Sequence, residues 1–436
     1  MIKKCKNLNS SFSLIEIIVV LFLIALISGL MVVILKPGTF FQRARDAKRV
    51  SDLSKIEKFF EAKKFSDLSF SENKFLDPKI VYISLPDSSS TCGSWLSDLP
   101  SLSSPYSYRC SATPTNIDGT GWIPLDFQGI TSENFLPIDP INKPPYYYTF
   151  VVGGSYELEA KMENNFQISF NDGGDSGFFY EKGSNLKLTP FQARGGLRFT
   201  REEEEKFLNN VCPTCFQGLV GYWTFDEGNG TTTKDLSGYG NDGTLYSGTT
   251  SICSNPPTSG CPTWVTGKIG SALSLDGSND YVDCNPIPAL PAGSTERTIT
   301  ALIRVNQLNR NVRLSHIFHY GYASYNQAFG LAMYSADSKF GAHEWSLYTR
   351  YGDVPLNQWV FLAITLSGNK VKKYYQNGSL IAVHTTDPAP NTVLNSCKIG
   401  TRVTPYEYFN GLIDEVRIYN RALSDSEIKA LYQAAN

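Results

Sequence analysis

The sequence predicts an α+β N-terminal domain followed by an all-β sandwich. The N-terminal domain is expected to combine a long N-terminal transmembrane helix with a small antiparallel sheet. Three observations predict this class: an apolar run near the start, helix-period patterning only at the two ends, and strand–turn–strand patterning through the second half. A chain of 436 residues is also long enough for two or three domains.

The composition is typical of a chain made mostly of short strands. It is rich in Tyr, Phe, Gly, Pro, Ser and Thr, and 18% of its residues are charged. Such residues favour strands and the turns between them. The formal net charge is −2, so neither a nucleic-acid-binding surface nor a polybasic lipid-binding patch is expected.

The apolar run, residues 17–35, has the length of a helix that crosses a bilayer. Three lysines precede it, and positive charge holds that end in the cytoplasm. Lys-Pro-Gly follows the run, where a secretory signal would have a small-residue cleavage site. Glu16 stands at the edge of the run, although a charge buried in lipid costs about 3 kcal/mol or more.

The stretch SFSLIEIIVVLFLIALISGL resembles the N-terminus of type IV pilins and type II secretion pseudopilins. The usual form in that family is Gly-FTLIE and an apolar run, and Ser11 replaces the Gly here. The resemblance implies that a prepilin peptidase cuts between Ser11 and Phe12 and methylates the new amine. Residues 1–11 would then be a leader, and residues 12–36 a transmembrane and assembly helix.

The same resemblance gives a physical reason for Glu16. In a filament the helices bundle, and the carboxylate of one subunit can pair with the α-amine of its neighbour. The implied partners are other pilin subunits, the prepilin peptidase and the bacterial inner membrane. Two alternatives stay open: a plain membrane anchor, and a glutamate that merely lies at the headgroup boundary.

Residues 37–170 are expected to form a pilin-like globular domain. Apolar residues recur at every third position of the first part, which predicts an amphipathic helix: Ala44, Ala47, Val50, Leu53, Ile56 and Phe59. Alternating runs at 146–152 and 156–161 flank Gly153-Gly154 and predict a β-hairpin. This region resembles the sheet of G-type pseudopilins.

Residues 171–217 are expected to be an exposed linker. The stretch is rich in Gly and Asn, and REEEEKFLNN contains four consecutive acids. A run of like charge repels itself and stays solvated. Adjacent carboxylates on such a segment lack the converging geometry of acid–base catalysis.

Residues 218–436 contain four sequence motifs: GYWTFDEG, DLSGYGNDGT, GKIGSALSLDG and GLIDEVRIYNRALSDSEI. Together and in this order they resemble the laminin-G-like, concanavalin A-like jelly-roll modules of bacterial surface proteins. The resemblance implies two packed antiparallel sheets, one of them concave. Asn377-Gly378 is a hairpin-turn signal, and Ser424 with Glu427 predicts a capping box at a final helix.

Eight of the nine cysteines follow the apolar run, and an even set there indicates disulfides formed in an oxidising compartment. A zinc site at VCPTC is the alternative. The candidate pairs are local except for the last one: Cys92 with Cys110, Cys212 with Cys215, Cys253 with Cys261, and Cys284 with Cys397.

The C-terminal module is not expected to be an enzyme. It lacks the E-x-D-x-x-E strand of concanavalin-like glycoside hydrolases, and Asp414 and Glu415 are adjacent, so a strand would point them to opposite faces. The four histidines make no recognisable catalytic pattern: His316, His319, His343 and His384.

The jelly-roll resemblance implies a possible Ca²⁺ site, because calcium takes six to eight oxygen ligands from converging loops. The residues indicated are Asp226, Asp235, Asn241 and Asp414. The alternative for Asp235 and Asn241 is that they cap turns through Asx hydrogen bonds.

Aromatic residues crowd the middle of the module, where they could form core or stack on sugar rings: Tyr320, Tyr322, Tyr325, Trp345, Tyr348 and Tyr351. The sequence as a whole predicts a minor, tip-located pilin-like or pseudopilin subunit. Its jelly roll would bind an extracellular carbohydrate or protein at the cell surface, after passage through the inner membrane. The alternative is a membrane-tethered surface protein that does not join a filament.

Overall fold

The structure is a computed structural model. It describes residues 14–15, 18–23, 37–66, 76–102, 104–130, 132–153, 155–174, 176–186, 188–189, 193, 201–248, 251–254, 260–284, 289–308, 312–386 and 388–436. The helices are α1 (Pro37–Ser66), α2 (Phe166–Phe170), α3 (Arg201–Val211) and α4 (Asp425–Ala434). Leu14, Ile15 and residues 18–23 are also helical.

The N-terminal domain packs α1 on a sheet of order β2-β1-β3-β4-β5. The strands are β1 (Ile80–Pro86), β2 (Ser107–Ser111), β3 (Tyr148–Val152), β4 (Tyr156–Lys161) and β5 (Phe179–Gly183). The predicted hairpin is confirmed, because β3 and β4 pair antiparallel. Phe60 of α1 stacks on Phe150 of β3, with ring centroids 5.1 Å apart.

The start of α1 differs from the predicted apolar stripe. Ala44 and Ala47 are exposed, and the buried positions belong to Asp46 and Arg49. The Arg49 guanidinium donates to Asp46 at 2.9 Å and lies 2.6 Å from carboxylate oxygens of Asp139 and Glu163. A buried charge is tolerated when it is paired and hydrogen-bonded, so this network fixes the helix on the sheet.

The predicted fold class is wrong in its N-terminal part. Within the described ranges, no helix is both long and apolar enough to cross a membrane. The long helix that is described, α1, carries charged residues throughout and one apolar stripe, which suits packing on a sheet. Ser11, Phe12 and Glu16, with most of the apolar run, lie outside the described residues.

The N-terminal sheet is mixed, where an antiparallel sheet was predicted. β1 and β2 pair in parallel. A parallel pair requires a long crossover connection, and residues 87–106 supply it. The Cys92–Cys110 disulfide links this connection to β2.

The stretch predicted as an exposed linker is largely folded. β5 completes the N-terminal sheet, and α3 and a 3-10 turn at Pro213–Phe216 follow it. The expectation of a solvated acidic run is wrong for Glu204, whose residue exposure is 1%. Its carboxylate pairs with Arg417, which lies 213 residues later in the chain.

The C-terminal domain is a sandwich of two sheets, as predicted. Its strands are β6 (Leu219–Trp223), β7 (Thr232–Thr233), β8 (Gly243–Ser247), β9 (Ser251–Ile252), β10 (Thr263–Thr266), β11 (Ser271–Asp276), β12 (Asp280–Asp283), β13 (Arg297–Val305), β14 (Leu314–Gly321), β15 (Ala328–Tyr334), β16 (Phe340–His343), β17 (Trp359–Leu366), β18 (Val371–Gln376), β19 (Ser379–Thr385), β20 (Ser396–Ile399) and β21 (Asn410–Tyr419).

We call the two layers the inner and the outer sheet. The inner sheet has the order β10-β11-β21-β13-β17-β18-β19, with β6 beside β21. The outer sheet has the order β16-β15-β14-β20-β12-β8-β7, with β9 beside β8. Trp223 and Leu362 of the inner sheet meet Phe318 and Leu331 of the outer sheet in the sandwich core.

The second face of the inner sheet is also buried. Leu302 and Phe361 turn away from the sandwich core and join a cluster with Ile428 of α4 and Phe207 of α3. This cluster continues into the core of the N-terminal domain. The inner sheet therefore lies between the sandwich core and the N-terminal domain, and the far face of the outer sheet points away from both.

The four candidate cysteine pairs are disulfide-bonded in the structure: Cys92–Cys110, Cys212–Cys215, Cys253–Cys261 and Cys284–Cys397. The bond between Cys212 and Cys215 leaves no thiolates at VCPTC for zinc. The predicted capping box is also present, because the Ser424 side chain and Glu427 exchange hydrogen bonds at the start of α4.

Candidate functional site

The face of the outer sheet that points away from the core carries an unusual set of side chains. Along β15, Leu331 and Met333 belong to the sandwich core, while Gly330 and Tyr334 turn to the other side. Successive strand residues alternate in this way. We call this second side the distal face.

Three buried histidines form the floor of the distal face. His316 Nε2 lies 2.9 Å from His343 Nδ1, and His319 Nε2 lies 3.1 Å from the same atom. His316 and His319 share a face because the pairing of β14 and β15 shifts register between residues 316 and 318. Gly330 makes room for them, since a Cβ there would lie 2.5 Å from His319 Cδ2.

The hydrogen bonds and pKa values of these histidines indicate neutral rings. His319 Nδ1 accepts a bond of 3.2 Å from the Val403 N–H, so its proton lies on Nε2 and points to His343. A metal on that Nε2 would need the opposite tautomer. Burial lowers the pKa of His316 and His319 well below the usual value and that of His343 to about 4. The cluster is therefore a neutral, hydrogen-bonded support.

Beside the histidines the distal face contains a pocket of about 460 Å³. It is lined by Val312, Arg313, Tyr334, Ser335, Ala336, Tyr348 and Arg350. The Arg313 guanidinium carbon lies 3.9 Å from the centre of the Tyr348 ring, and that of Arg350 lies 5.8 Å from the Tyr334 ring. The two tyrosine rings are 5.8 Å apart, so they lie next to each other with a guanidinium group against each of them.

Two polar atoms of this pocket are buried without a hydrogen-bond partner among the described residues: Tyr334 Oη and Ser335 Oγ. Tyr334 is 3% exposed and Ser335 is 2% exposed. Burial also raises the pKa of the Tyr334 phenol, which keeps it a hydrogen-bond donor. Both oxygens have almost no accessible surface, so they lie within the wall of the pocket and do not face its open space.

A second aromatic group lies next to the pocket. The Arg402 guanidinium carbon is 5.1 Å from the ring centres of both Trp345 and Tyr406. Trp345 is partly exposed and lies 6.3 Å from the rings of His319 and His343, while Tyr406 is 58% exposed. The distal face thus combines exposed rings with three arginines.

Comparison with known proteins shows which family the C-terminal domain resembles. Residues 276–429 match the family described as the concanavalin A-like lectin/glucanases superfamily. The C-terminal domain is a laminin-G-like jelly roll. No curated protein matches the chain.

Solved structures similar to this chain include domain 4 of AbnA, an extracellular arabinanase from Geobacillus stearothermophilus, in complex with arabinotriose. It is 24% identical over 49% of this chain and 98% of that one, with a TM-score of 0.39. The binding domain of Paraclostridial Mosquitocidal Protein 1 is 18% identical over 50% of this chain and 52% of that one, with a TM-score of 0.39. The Ruminococcus gnavus IT-sialidase CBM40 bound to α2,3-sialyllactose is 19% identical over 36% of this chain and 95% of that one, with a TM-score of 0.32.

The residues predicted to bind calcium in the jelly roll use several of their oxygens in hydrogen bonds and ion pairs. Both carboxylate oxygens of Asp235 accept N–H groups, including the backbone and side-chain N–H of Asn241 at 2.9 and 2.7 Å. Asp226 pairs with Arg201 at 2.7 Å, and one oxygen of Asp414 accepts the N–H groups of Lys268 and Ile269. In the described part of the chain, the three aspartates belong to no group of three His, Cys, Asp or Glu side chains with metal-ligand spacing.

N–H groups occupy the places that a cation would take at Asp235, whereas Asp414 Oδ1 and Asn241 Oδ1 have no hydrogen-bond partner among the described residues. Asp235 caps a turn through the Ser237 N–H, which is the alternative that the sequence left open for it, and the Asn241 side chain donates to Asp235 and Val220. The calcium site itself stays a prediction. Calcium has no part in the function proposed below.

The six aromatic residues noted in the sequence divide between core and surface. The structure buries Tyr320 completely, and its hydroxyl accepts a hydrogen bond from Arg297. Trp345 and Tyr351 are partly buried, and three are exposed: Tyr322, Tyr325 and Tyr348. The sequence did not indicate the arginines of the distal face or the histidine cluster. The closeness of Arg350 to Tyr348 and Tyr351 in YTRYG was the available signal for that arginine, and the sequence around Arg313 offers none.

Proposed function

We propose that the jelly roll is a lectin-like, carbohydrate-binding module whose binding surface is the distal face. The observation that carries this proposal is the set of exposed rings and guanidinium groups around the pocket. Tyr and Trp faces stack on the apolar faces of sugar rings, and guanidinium groups donate several hydrogen bonds to sugar oxygens. Sites of this kind suit ligands that present hydroxyls and flat apolar patches together.

The position of the distal face supports binding to a partner outside the molecule. The inner sheet packs on α3, α4 and the N-terminal domain, so the opposite sheet faces away from them. Two ion pairs tie α3 to β21, Arg201 with Glu415 and Glu204 with Arg417, and they hold the jelly roll in one orientation. The N-terminal domain then supports the jelly roll from the side opposite the binding face.

We propose a binding role without catalysis. Glycoside hydrolysis needs two carboxylates that flank the scissile bond. Glu415 is fully buried and pairs with Arg201 and Arg417, and Asp414 is fully buried and accepts backbone N–H groups. Neither carboxylate can reach a sugar bound on the distal face.

Four disulfides support a location outside the cytoplasm, because such bonds persist in oxidising compartments. We further propose that the chain joins a type IV pilus or a secretion pseudopilus as a minor subunit. This part is supported by the sequence from Ser11 to Glu16 and by the packing of α1 on a small sheet. The alternative is a surface protein that does not assemble.

Binding is tested with the full-length chain on a glycan array, followed by titration calorimetry with the best neutral and acidic ligands. We expect binding that the double substitution Trp345→Ala with Tyr348→Ala weakens tenfold or more. Tyr239→Ala is the matched control, because Tyr239 is an exposed tyrosine at 54% on a different loop. Full binding by the double variant would refute the assignment of the distal face.

Assembly is tested separately by mass spectrometry of the mature N-terminus and by analysis of sheared filaments. A methylated Phe12 and recovery of the protein in the filament fraction are expected. An intact start at Met1 would favour the surface protein that does not assemble. Glu16→Ala should abolish recovery in filaments while the total amount of protein stays the same.

A further inference from the structure

We propose that the pocket lined by Arg313, Tyr334, Ser335, Tyr348 and Arg350 binds a sugar that carries a carboxylate, such as a uronic or a sialic acid. This inference rests on the proposed carbohydrate-binding function and assigns its ligand class. It follows from four features of the pocket: an arginine that forms no ion pair, a second arginine, an exposed tyrosine ring and the size of the space.

The first of these features is Arg313. Its side chain is exposed, and no carboxylate pairs with it in the described part of the chain. The Tyr348 ring lies against one face of the guanidinium, at 3.9 Å, and so holds the group flat. Stacking leaves the N–H edge of a guanidinium free, and that edge matches a carboxylate in a two-point contact.

Arg350 adds a second positive charge on the opposite side of the pocket. It forms an ion pair of 3.1 Å with Asp337 and lies over the Tyr334 ring. Glu407 and Arg402 lie 3.8 Å apart near this face, and Lys398, which stands opposite His319, pairs with Asp283 at 2.7 Å. Among the described residues, Arg313 is the cation of this face without an ion pair, and its charge acts on Glu407 only from a longer distance.

The exposed ring of Tyr348 explains why the ligand is a sugar acid and not a simple anion. Tyr348 is 42% exposed and lies beside Arg313, so a ligand that carries an apolar ring face next to its carboxylate can contact both side chains. An isolated inorganic anion would reach the arginine alone.

The size of the pocket fits a single sugar unit with its substituents. Its volume of about 460 Å³ falls in the range of small-molecule sites, about 300–1,000 Å³. The exposed ring of Tyr348 supplies a wall against which the apolar face of the sugar can lie. The rest of a glycan chain would then extend towards Trp345 and Tyr406.

The test uses titration calorimetry of the full-length chain with trigalacturonate and 3′-sialyllactose, each beside its carboxyl-reduced counterpart. We expect at least one acid to bind tenfold or more tightly than its reduced form, and the two acids separate a uronic from a sialic ligand. Arg313→Gln should abolish this preference, and Arg313→Lys should keep part of it, because lysine retains the charge but loses the two-point contact.

The matched control is Arg109→Gln, because Arg109 is also an exposed arginine over a tyrosine ring, at 5.8 Å from Tyr82 in the N-terminal domain. It should leave every affinity unchanged. Equal binding of acid and reduced forms would overturn the carboxylate assignment while the carbohydrate-binding function stands. A preference for sulfated over carboxylated sugars would overturn it as well. Failure of all glycans to bind would remove the proposed function itself.

Discussion

The guanidinium of Arg313 stacks on the ring of Tyr348, with 3.9 Å between the guanidinium carbon and the ring centre. Arg313 precedes β14 and Tyr348 follows β16, so the contact closes one side of the distal pocket between two separate strands. A long exposed side chain loses conformational freedom when it is held in this way. A ligand then meets an arginine that is already oriented, which reduces the entropy lost on binding.

The first prediction concerns Tyr348 as the support of Arg313. A cation–π contact at an exposed site is worth about 0.5–1 kcal/mol. Tyr348→Ala should therefore weaken binding of the acidic ligand by about two- to fivefold. Tyr348→Phe keeps the ring and should bind as the wild type does. Calorimetry measures both variants. A loss in Tyr348→Phe equal to that in Tyr348→Ala would show that the hydroxyl matters and that the stacking does not.

Local signals in the sequence gave the turns and caps correctly. Asn377 and Gly378 both have positive φ, at 49° and 72°, as the hairpin signal requires. Ser424 and Glu427 form the predicted capping box. These features depend on neighbouring residues alone. The order of the sequence motifs in residues 218–436 separately indicated the jelly roll.

Features that depend on distant residues could not be predicted. His316 and His319 should point to opposite faces of a regular strand, and a register shift brings them together. Glu204 lies in an acidic run that sequence reasoning treats as solvated, and its partner Arg417 lies in the last strand. Arg313 and Tyr348 are 35 positions apart and meet only through the pairing of β14, β15 and β16.

The second prediction is a pH dependence of stability from the histidine cluster. Burial holds the pKa of His343 at about 4, below its ordinary value of 6.5. Between these values the unfolded chain takes up a proton that the folded chain does not, so stability is lost as the pH falls from about 6.5 to about 4. For His343 alone the loss is up to about 3 kcal/mol, at about 1.4 kcal/mol per pH unit.

Other buried groups change the stability in the opposite direction as the pH changes. The test therefore compares the wild type with a variant that lacks His343. Burial raises the pKa of Asp280 to about 7 and also raises that of Glu407, and each of these carboxyls destabilises the fold as the pH rises. We expect the unfolding free energy of wild type minus that of His343→Gln to fall between pH 6.5 and 4.5 in urea titrations. A difference that is constant with pH would contradict this account. His384→Gln is the comparison: burial also lowers the pKa of His384, but its side chain is partly exposed, so the same difference should be smaller.

The third prediction concerns the buried ion pairs between α3 and the inner sheet. Arg417 donates to Glu204 and Glu415, and all three are nearly or fully buried. Removing one member of a buried pair leaves an uncompensated charge and typically costs about 3–5 kcal/mol. Arg417→Ala should therefore lower the free energy of unfolding by that amount in denaturant titrations. Lys234→Ala breaks the exposed pair with Asp242 and should leave stability unchanged within error.

The fourth prediction compares two disulfides that close very different loops. Cys284 and Cys397 are separated by 113 residues, whereas Cys212 and Cys215 are separated by 3. In the chain-entropy description, a bond stabilises by limiting the unfolded state, which gives about 4–5 kcal/mol for the long loop and about 2 kcal/mol for the short one. We expect replacement of Cys284 and Cys397 by Ala to lower the unfolding free energy by at least 1 kcal/mol more than replacement of Cys212 and Cys215. Equal losses would mean that packing around the sulfurs, and not loop closure, determines their contribution.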